Sequence, residues 1–182
     1  MTEEDSAKMY AKRGKMAYER GDYTQAAEDF KEAQKAYILL GDVINAAEMA
    51  NNCCVAYLQV NEPEKALQAV EGTPEIFAQV NDLTRQGMAL GNYAEALSEL
   101  DQPDEAIDAY LQSANVFEQA GEDQLRANVL QSLSQFQFQE GRQLEALASM
   151  QSGMEGIKKP SPKQRFLKRL LSIPFDMLNK GD

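Results

Sequence analysis

The stretch Gly21-Asp22-Tyr23-Thr24-Gln25-Ala26 recurs in outline three more times along the chain, each time ending on an alanine. The four alanines are Ala26, Ala66, Ala106 and Ala146, so the interval is forty residues in every case. A fixed period between roughly 20 and 50 residues is typical of solenoids, in which copies of one structural unit stack side by side. The sequence therefore predicts a repeat architecture of four units.

Apolar residues within each unit recur at the spacing of an amphipathic helix. The predicted helices span 5–20, 23–40, 43–59, 63–80, 83–99, 103–120, 123–139 and 143–157. Pro63 and Pro103 fall in the first turn of a helix, where the missing amide hydrogen is not needed. The connections are only a few residues long, so we expect consecutive helices to pack as antiparallel hairpins.

One of these helices carries an internal break signal, Gly72-Thr73-Pro74. Glycine favours a helix end, threonine favours an N-cap, and proline favours a first helical turn. Proline inside a helix also removes a hydrogen bond and costs about 3 kcal/mol. We therefore expect helix 63–80 to be split or sharply kinked at this point, with Thr73 as the N-cap of its second half.

A second position of the repeat is restricted to small residues. When the recurring alanine is counted as position twenty, position eight holds Gly14, Cys54, Ala94 and Ser134. Two helices that cross at about 8–10 Å need small side chains at the contact, which explains both positions. With these positions in register, residues 5–157 resemble tetratricopeptide repeats (TPR) of a longer, forty-residue type. Arg13 and Gln137 depart from the TPR pattern, which prefers apolar residues there.

The resemblance implies an all-α fold, a right-handed superhelical solenoid of antiparallel helix hairpins. It would comprise about four TPR-like repeats in residues 1–157 and a C-terminal capping helix in residues 158–182. The resemblance also implies that the first helix of each repeat lines a concave groove, in which such proteins bind a peptide segment or a partner protein.

Positions two, five, nine and twelve of the first helices share one face, next to the core face. The candidate groove residues on this face are Lys8, Lys15, Tyr18, Asn51, Val55, Met88, Glu95, Asn128, Gln131, Gln135 and Phe138. Their order predicts a groove that is basic at one end, apolar in the middle, and amide-rich with one aromatic residue at the other end. The amide side chains offer donors and acceptors to an extended peptide backbone, or else only solvate the helix surface.

The net charge of −11 is unevenly distributed along the chain. Residues 1–157 hold 11 Lys and Arg against 27 Asp and Glu, whereas residues 158–182 hold 7 against 2. The acidic body disfavours nucleic-acid binding, which needs clustered basic residues. The basic tail also carries leucine and phenylalanine at helical spacing, which favours a helix that caps the open end of the solenoid. Two alternatives are a membrane-surface helix, making the protein a peripheral membrane adaptor, and self-association through the same helix.

No catalytic or metal-binding constellation stands out. The chain has no histidine, and its two cysteines, Cys53 and Cys54, are adjacent. The absence of histidine excludes a Cys/His zinc site. A disulfide between two adjacent cysteines would be strained, so we predict buried free thiols in a reducing compartment. No signal peptide or membrane-spanning run is apparent, so a cytoplasmic location is expected. The sequence favours a non-enzymatic protein-binding scaffold, without a cofactor, a metal or a small-molecule substrate.

Overall fold

The computed structural model of the chain describes residues 2–155 together with Ile157, Pro162 and Arg165. In this described part, nine α-helices follow one another without a strand. They are α1 (Glu3–Glu19), α2 (Tyr23–Leu39), α3 (Val43–Gln59), α4 (Pro63–Val70), α5 (Thr73–Gln79), α6 (Leu83–Glu99), α7 (Pro103–Ala120), α8 (Asp123–Gln139) and α9 (Gln143–Glu155). The predicted all-α fold of helix hairpins is confirmed.

The helices keep the forty-residue register of the sequence. The first helix of each repeat is α1, α3, α6 or α8, and these begin at Glu3, Val43, Leu83 and Asp123. The second helix is α2, the pair α4 and α5, α7 or α9. Each first helix packs against the second helix of its own repeat, and α3, α6 and α8 also pack against the second helix of the preceding repeat. The hairpins therefore stack in chain order.

The turns within the hairpins explain why each recurring phrase begins with glycine, asparagine or aspartate. These residues are Gly21, Asn61, Asp101 and Gly141, whose φ angles lie between 57° and 79°. Glycine adopts this left-handed conformation without strain, and asparagine and aspartate visit it more easily than other residues. The backbone conformation of the turn, as well as its length, therefore recurs in all four repeats.

The predicted break in helix 63–80 is confirmed, because α4 ends at Val70 and α5 begins at Thr73. Gly72, with a φ of 77°, is the N-cap of α5, so the expectation that Thr73 is the N-cap is wrong. Thr73 is buried, and its hydroxyl donates a 2.8 Å hydrogen bond to the carbonyl oxygen of Val70. This bond satisfies a carbonyl group that the end of α4 leaves without a helical partner.

The small residues lie where the two helices of each hairpin cross. Ala26, Ala66, Ala106 and Ala146 are all buried, and so are the four residues at position eight. In the fourth repeat the hydroxyl of Ser134 donates to the carbonyl oxygen of Ala146 over 2.6 Å. In the first repeat a Cβ atom on Gly14 would lie only 2.7 Å from the ring of Phe30. Close approach of the helices therefore limits the side-chain size at both positions.

The two polar departures from the repeat pattern have partners inside the fold. A guanidinium nitrogen of Arg13 lies 3.0 Å from the carboxylate of Asp29, a buried residue, and the group sits 5.5 Å from the centre of the Tyr10 ring. The Gln137 side chain is buried and accepts a 2.7 Å hydrogen bond from the hydroxyl of Ser149. These contacts matter because an unpaired buried polar group costs about 1–3 kcal/mol.

The C-terminal segment 158–182, predicted as a basic linker and capping helix, lies outside the described residues except for Pro162 and Arg165. Capping, membrane binding and self-association through this segment therefore stay predictions. None of the described helices combines the length and apolar character needed to cross a bilayer.

Candidate partner-binding surface

The first helices α1, α3, α6 and α8 contribute to one surface, which we call the groove face. Its first crevice, of about 640 Å³, lies between α1 and α3 and contains Lys15, Tyr18 and Val55 from the predicted set. Lys12, Glu19 and Glu48 also line it. Because two lysines and two glutamates face the same space, this end of the groove is mixed in charge rather than basic as expected.

The second, or central, crevice has a volume of about 680 Å³ and is formed by α3, α6 and α8, with side chains from α7 at its floor. Five predicted groove residues come together here, namely Asn51, Val55, Met88, Glu95 and Asn128. The middle of the groove is less apolar than the sequence suggested, because Asn52, Asn92 and Glu99 line it as well. Carboxylate and amide groups thus share this crevice with aliphatic side chains.

The third, or end, crevice has a volume of about 620 Å³ and lies between α8 and α9. Gln131, Gln135 and Phe138 of the predicted set line it, together with Leu147 and Met150 from α9. Phe138 is 66% exposed and Leu147 is 37% exposed. In the preceding repeat, the residue equivalent to Leu147 is Ile107, which is buried beneath α8.

Lys8 is the one predicted groove residue that lines none of these three crevices. Its ammonium group forms an exposed ion pair with Glu4, one turn earlier on α1. Glu48, at the equivalent position of α3, is also engaged, since its carboxylate lies 2.9 Å from the guanidinium of Arg85. Arg85 in turn pairs with Asp82 at the start of α6, which ties α3 to α6.

Two further repeat positions, which the sequence did not lead us to predict, also line the crevices. Position six contributes Lys12, Asn52, Asn92 and Ser132, and position thirteen contributes Glu19, Gln59, Glu99 and Gln139. These two positions are seven residues apart, which is about two helical turns, so they form a stripe beside the predicted one. The same forty-residue register that located the first stripe contained the signal for the second.

Two hydrogen bonds organise the side chains of the central crevice. The side-chain amide nitrogen of Asn92 donates a 2.9 Å hydrogen bond to the side-chain oxygen of Asn51, which joins α6 to α3. The phenol of Tyr110, which is only 2% exposed, donates to Glu95 over 2.5 Å. Burial, followed by the charge of Glu95, raises the pKa of Tyr110, so the phenol stays protonated and keeps donating. The Glu95 carboxylate is therefore held from beneath by a neutral donor.

The two cysteines are buried free thiols, as predicted. The Cys53 sulfur lies 3.4 Å from the carbonyl oxygen of Ala27, and the Cys54 sulfur lies 3.8 Å from that of Asn92. Burial raises the pKa of Cys53 to about 11 and the pKa of Cys54 to about 12. Since the thiolate is the reactive form, both thiols are unreactive at neutral pH. Among the described residues, no cluster of acidic and cysteine side chains is placed to hold a metal ion.

We expect the free energy of unfolding to fall as the pH rises above about 9, the ordinary thiol pKa. The unfolded chain releases both protons near that pH, whereas the folded chain holds them until about 11 and 12. Above pH 9 the unfolded state therefore binds fewer protons than the folded state, and the free energy of unfolding decreases as the pH rises. Below pH 9 both states keep the thiols protonated, so the thiols do not make the free energy of unfolding depend on pH. Urea denaturation at pH values of about 8 and 10 measures the difference.

The Cys53→Ala/Cys54→Ala variant is the matched control for this pH dependence. It lacks both titrating groups, so its free energy of unfolding should decrease less over the same pH interval. An equal decrease in the variant and the parent protein would show that the slope comes from other groups.

The model of one protein family, SNAP: Soluble NSF attachment protein, matches residues 2–172. Among solved structures, the crystal structure of the MamA protein is similar to this chain, with 18% sequence identity and a TM-score of 0.48, over 84% of this chain and 92% of that chain. No curated protein matches the chain. The family match spans all four hairpins and confirms the prediction of a TPR-type helical repeat. The chain therefore belongs to the soluble NSF attachment protein family.

Proposed function

We propose that the chain is a non-enzymatic scaffold that binds an extended segment of a partner protein along its groove face. The observation that carries this proposal is the continuity of that face. Asn52 and Val55 line both the first and the central crevice, so these two spaces meet at the middle of α3. A segment lying across α3 would contact α1 on one side and α6 and α8 on the other.

The chemistry of the groove face suits a peptide better than a compact small molecule. Asn51, Asn92 and Asn128 present amide groups to the central crevice, and amides pair with the donors and acceptors of an extended backbone. Val55 and Met88 add aliphatic surface for side chains of the segment. The name of the family, soluble NSF attachment protein, describes an attachment role and so also supports a binding function.

Site-specific photo-cross-linking tests where the partner binds. We would place a benzophenone side chain at Met88, which is 44% exposed on the groove face, and irradiate the full chain in cell lysate. Leu111 on α7 is the matched control, since it is 48% exposed but belongs to a second helix. We expect protein adducts from Met88 and few from Leu111.

A second variant separates specific capture from random collision. Replacing Val55 by arginine introduces a long charged side chain where the first and central crevices meet, so adducts at Met88 should decrease. Adducts of equal yield at Met88 and Leu111, unaffected by this replacement, would refute binding along the groove face.

A further inference from the structure

We infer that the central crevice receives a lysine or arginine side chain of the partner segment, which pairs with Glu95 and Glu99. This inference rests on the proposed binding along the groove face and gives the segment its chemical class, a basic peptide. The charge, the hydrogen bonding and the apolar surface of the crevice support this assignment.

The negative charge of the central crevice is not balanced by basic side chains of the described residues. Glu95 and Glu99 both line it, and no lysine or arginine does so among the described residues. Neither carboxylate forms an ion pair within the described part of the chain, whereas Glu48, on the adjacent helix, is neutralised by Arg85 at 2.9 Å. Glu95 is half-buried and Glu99 is exposed, so Glu95, the less hydrated of the two carboxylates, attracts a cation more strongly than a fully exposed charge does.

The hydrogen bond from Tyr110 prepares Glu95 for this contact. Because Tyr110 is 2% exposed and packed against the ring of Phe136, its hydroxyl donates from a fixed position to one oxygen of Glu95. The second carboxylate oxygen has no such partner and is available to a charged donor. A carboxylate that is already oriented loses less side-chain entropy when it binds a cation.

The remaining walls of the crevice fit the rest of a basic residue. Met88 and Leu58 offer aliphatic surface on which the methylene stem of lysine or arginine can pack while the charged end reaches the carboxylates. The hydrogen bond between Asn92 and Asn51 uses one donor and one acceptor. The Asn51 amide nitrogen and the Asn92 side-chain oxygen therefore remain for the backbone on either side of that residue.

The charge of the chain as a whole favours the same partner. Residues 1–157 carry 27 Asp and Glu against 11 Lys and Arg, so their long-range field attracts a basic segment and repels an acidic one. The crevice then selects where on the acidic surface that segment is retained.

Fluorescence anisotropy with defined peptides tests the assignment on the full chain. The probes are a fluorescein-labelled peptide of alternating lysine and serine and the same peptide with glutamine in place of lysine. We expect the lysine peptide to bind at least about tenfold more tightly than the glutamine peptide. The Glu95→Gln/Glu99→Gln variant should bind the lysine peptide about tenfold more weakly than the parent protein does. Glutamine keeps an oxygen that accepts the Tyr110 hydrogen bond, so the variant retains the local fold.

The matched control is Glu28→Gln/Glu64→Gln. These two glutamates are exposed on the second helices α2 and α4, outside the three crevices, and their replacement changes the net charge by the same amount. We expect this control to change the affinity less than about twofold, because only long-range attraction is lost. Equal losses of affinity for the lysine peptide in the two variants would mean that the peptide is held only by non-specific attraction, which would overturn the assignment.

A photo-cross-linker at Met88 keeps this inference separate from the proposed function. Equal cross-linking of the lysine and glutamine peptides at Met88 would overturn the preference for a basic residue and leave peptide binding on the groove face intact. Cross-linking of neither peptide, with lysate partners captured only at Leu111, would remove the proposed function as well. Self-cross-linking of Met88 to residues 158–182 without peptide would assign the crevice to the chain's own basic tail, against a separate partner.

Discussion

Replacing Phe77 by alanine should lower the free energy of unfolding by about 3–5 kcal/mol, the usual cost of removing a buried aromatic ring. Phe77 is fully buried and packs with Val70, Ala89 and Ala96 between the second and third repeats. The guanidinium of Arg85 lies 5.2 Å from the centre of its ring. Phe77 is the largest fully buried side chain of α5, a helix of only seven residues, so its ring contributes more to anchoring this half of the split helix than Thr73 or Pro74 does.

The control for this prediction is Val80→Ala, at the C-cap of the same helix. Val80 is 51% exposed, so its truncation should change the free energy of unfolding by less than about 0.5 kcal/mol. Urea denaturation followed by far-UV circular dichroism measures both variants. Similar losses for Phe77→Ala and Val80→Ala would mean that α5 is not held by the ring of Phe77.

The position of this break was visible in the sequence, because Gly72 and Pro74 constrain the backbone directly. The role of Thr73 was not, since the same hydroxyl can cap the next helix or bond back to the previous one. The structure selects the second option, with the bond from Thr73 to Val70. Local propensities therefore located the boundary, and the packing of α5 against its neighbours decided which hydrogen bond forms there.

The candidate site was predictable in outline for a related reason. Hydrophobic periodicity identifies the core face of each first helix, and the adjacent face follows from helix geometry alone. The width of the crevices depends on how far apart successive helices lie, which the periodicity of a single helix does not contain. This is why position six, including Asn52 and Asn92, was missed, and why Tyr110, on a second helix, was not recognised as a donor to Glu95.

Enlarging the recurring alanine should destabilise the fold by about 1–3 kcal/mol for either Ala66→Leu or Ala106→Leu, because a larger side chain overpacks the crossing. Both alanines are fully buried, and Cys54 and Ala94 at position eight of the same repeats are fully buried as well. The introduced atoms must therefore push the two helices of the hairpin apart. Since the second helices that carry Ala66 and Ala106 also contact the next repeat, the displacement reaches the neighbouring hairpin too.

Ala148→Leu is the matched control, because Ala148 is exposed on α9 and the same atoms are added without a crossing helix. Its free energy of unfolding should stay within about 0.5 kcal/mol of the parent protein, measured by the same urea denaturation. A near-zero cost for both buried replacements would show that the crossings tolerate large side chains. The forty-residue alanine period would then have some cause other than the closeness of the helices, and the register that places the crevice residues would lose its physical basis.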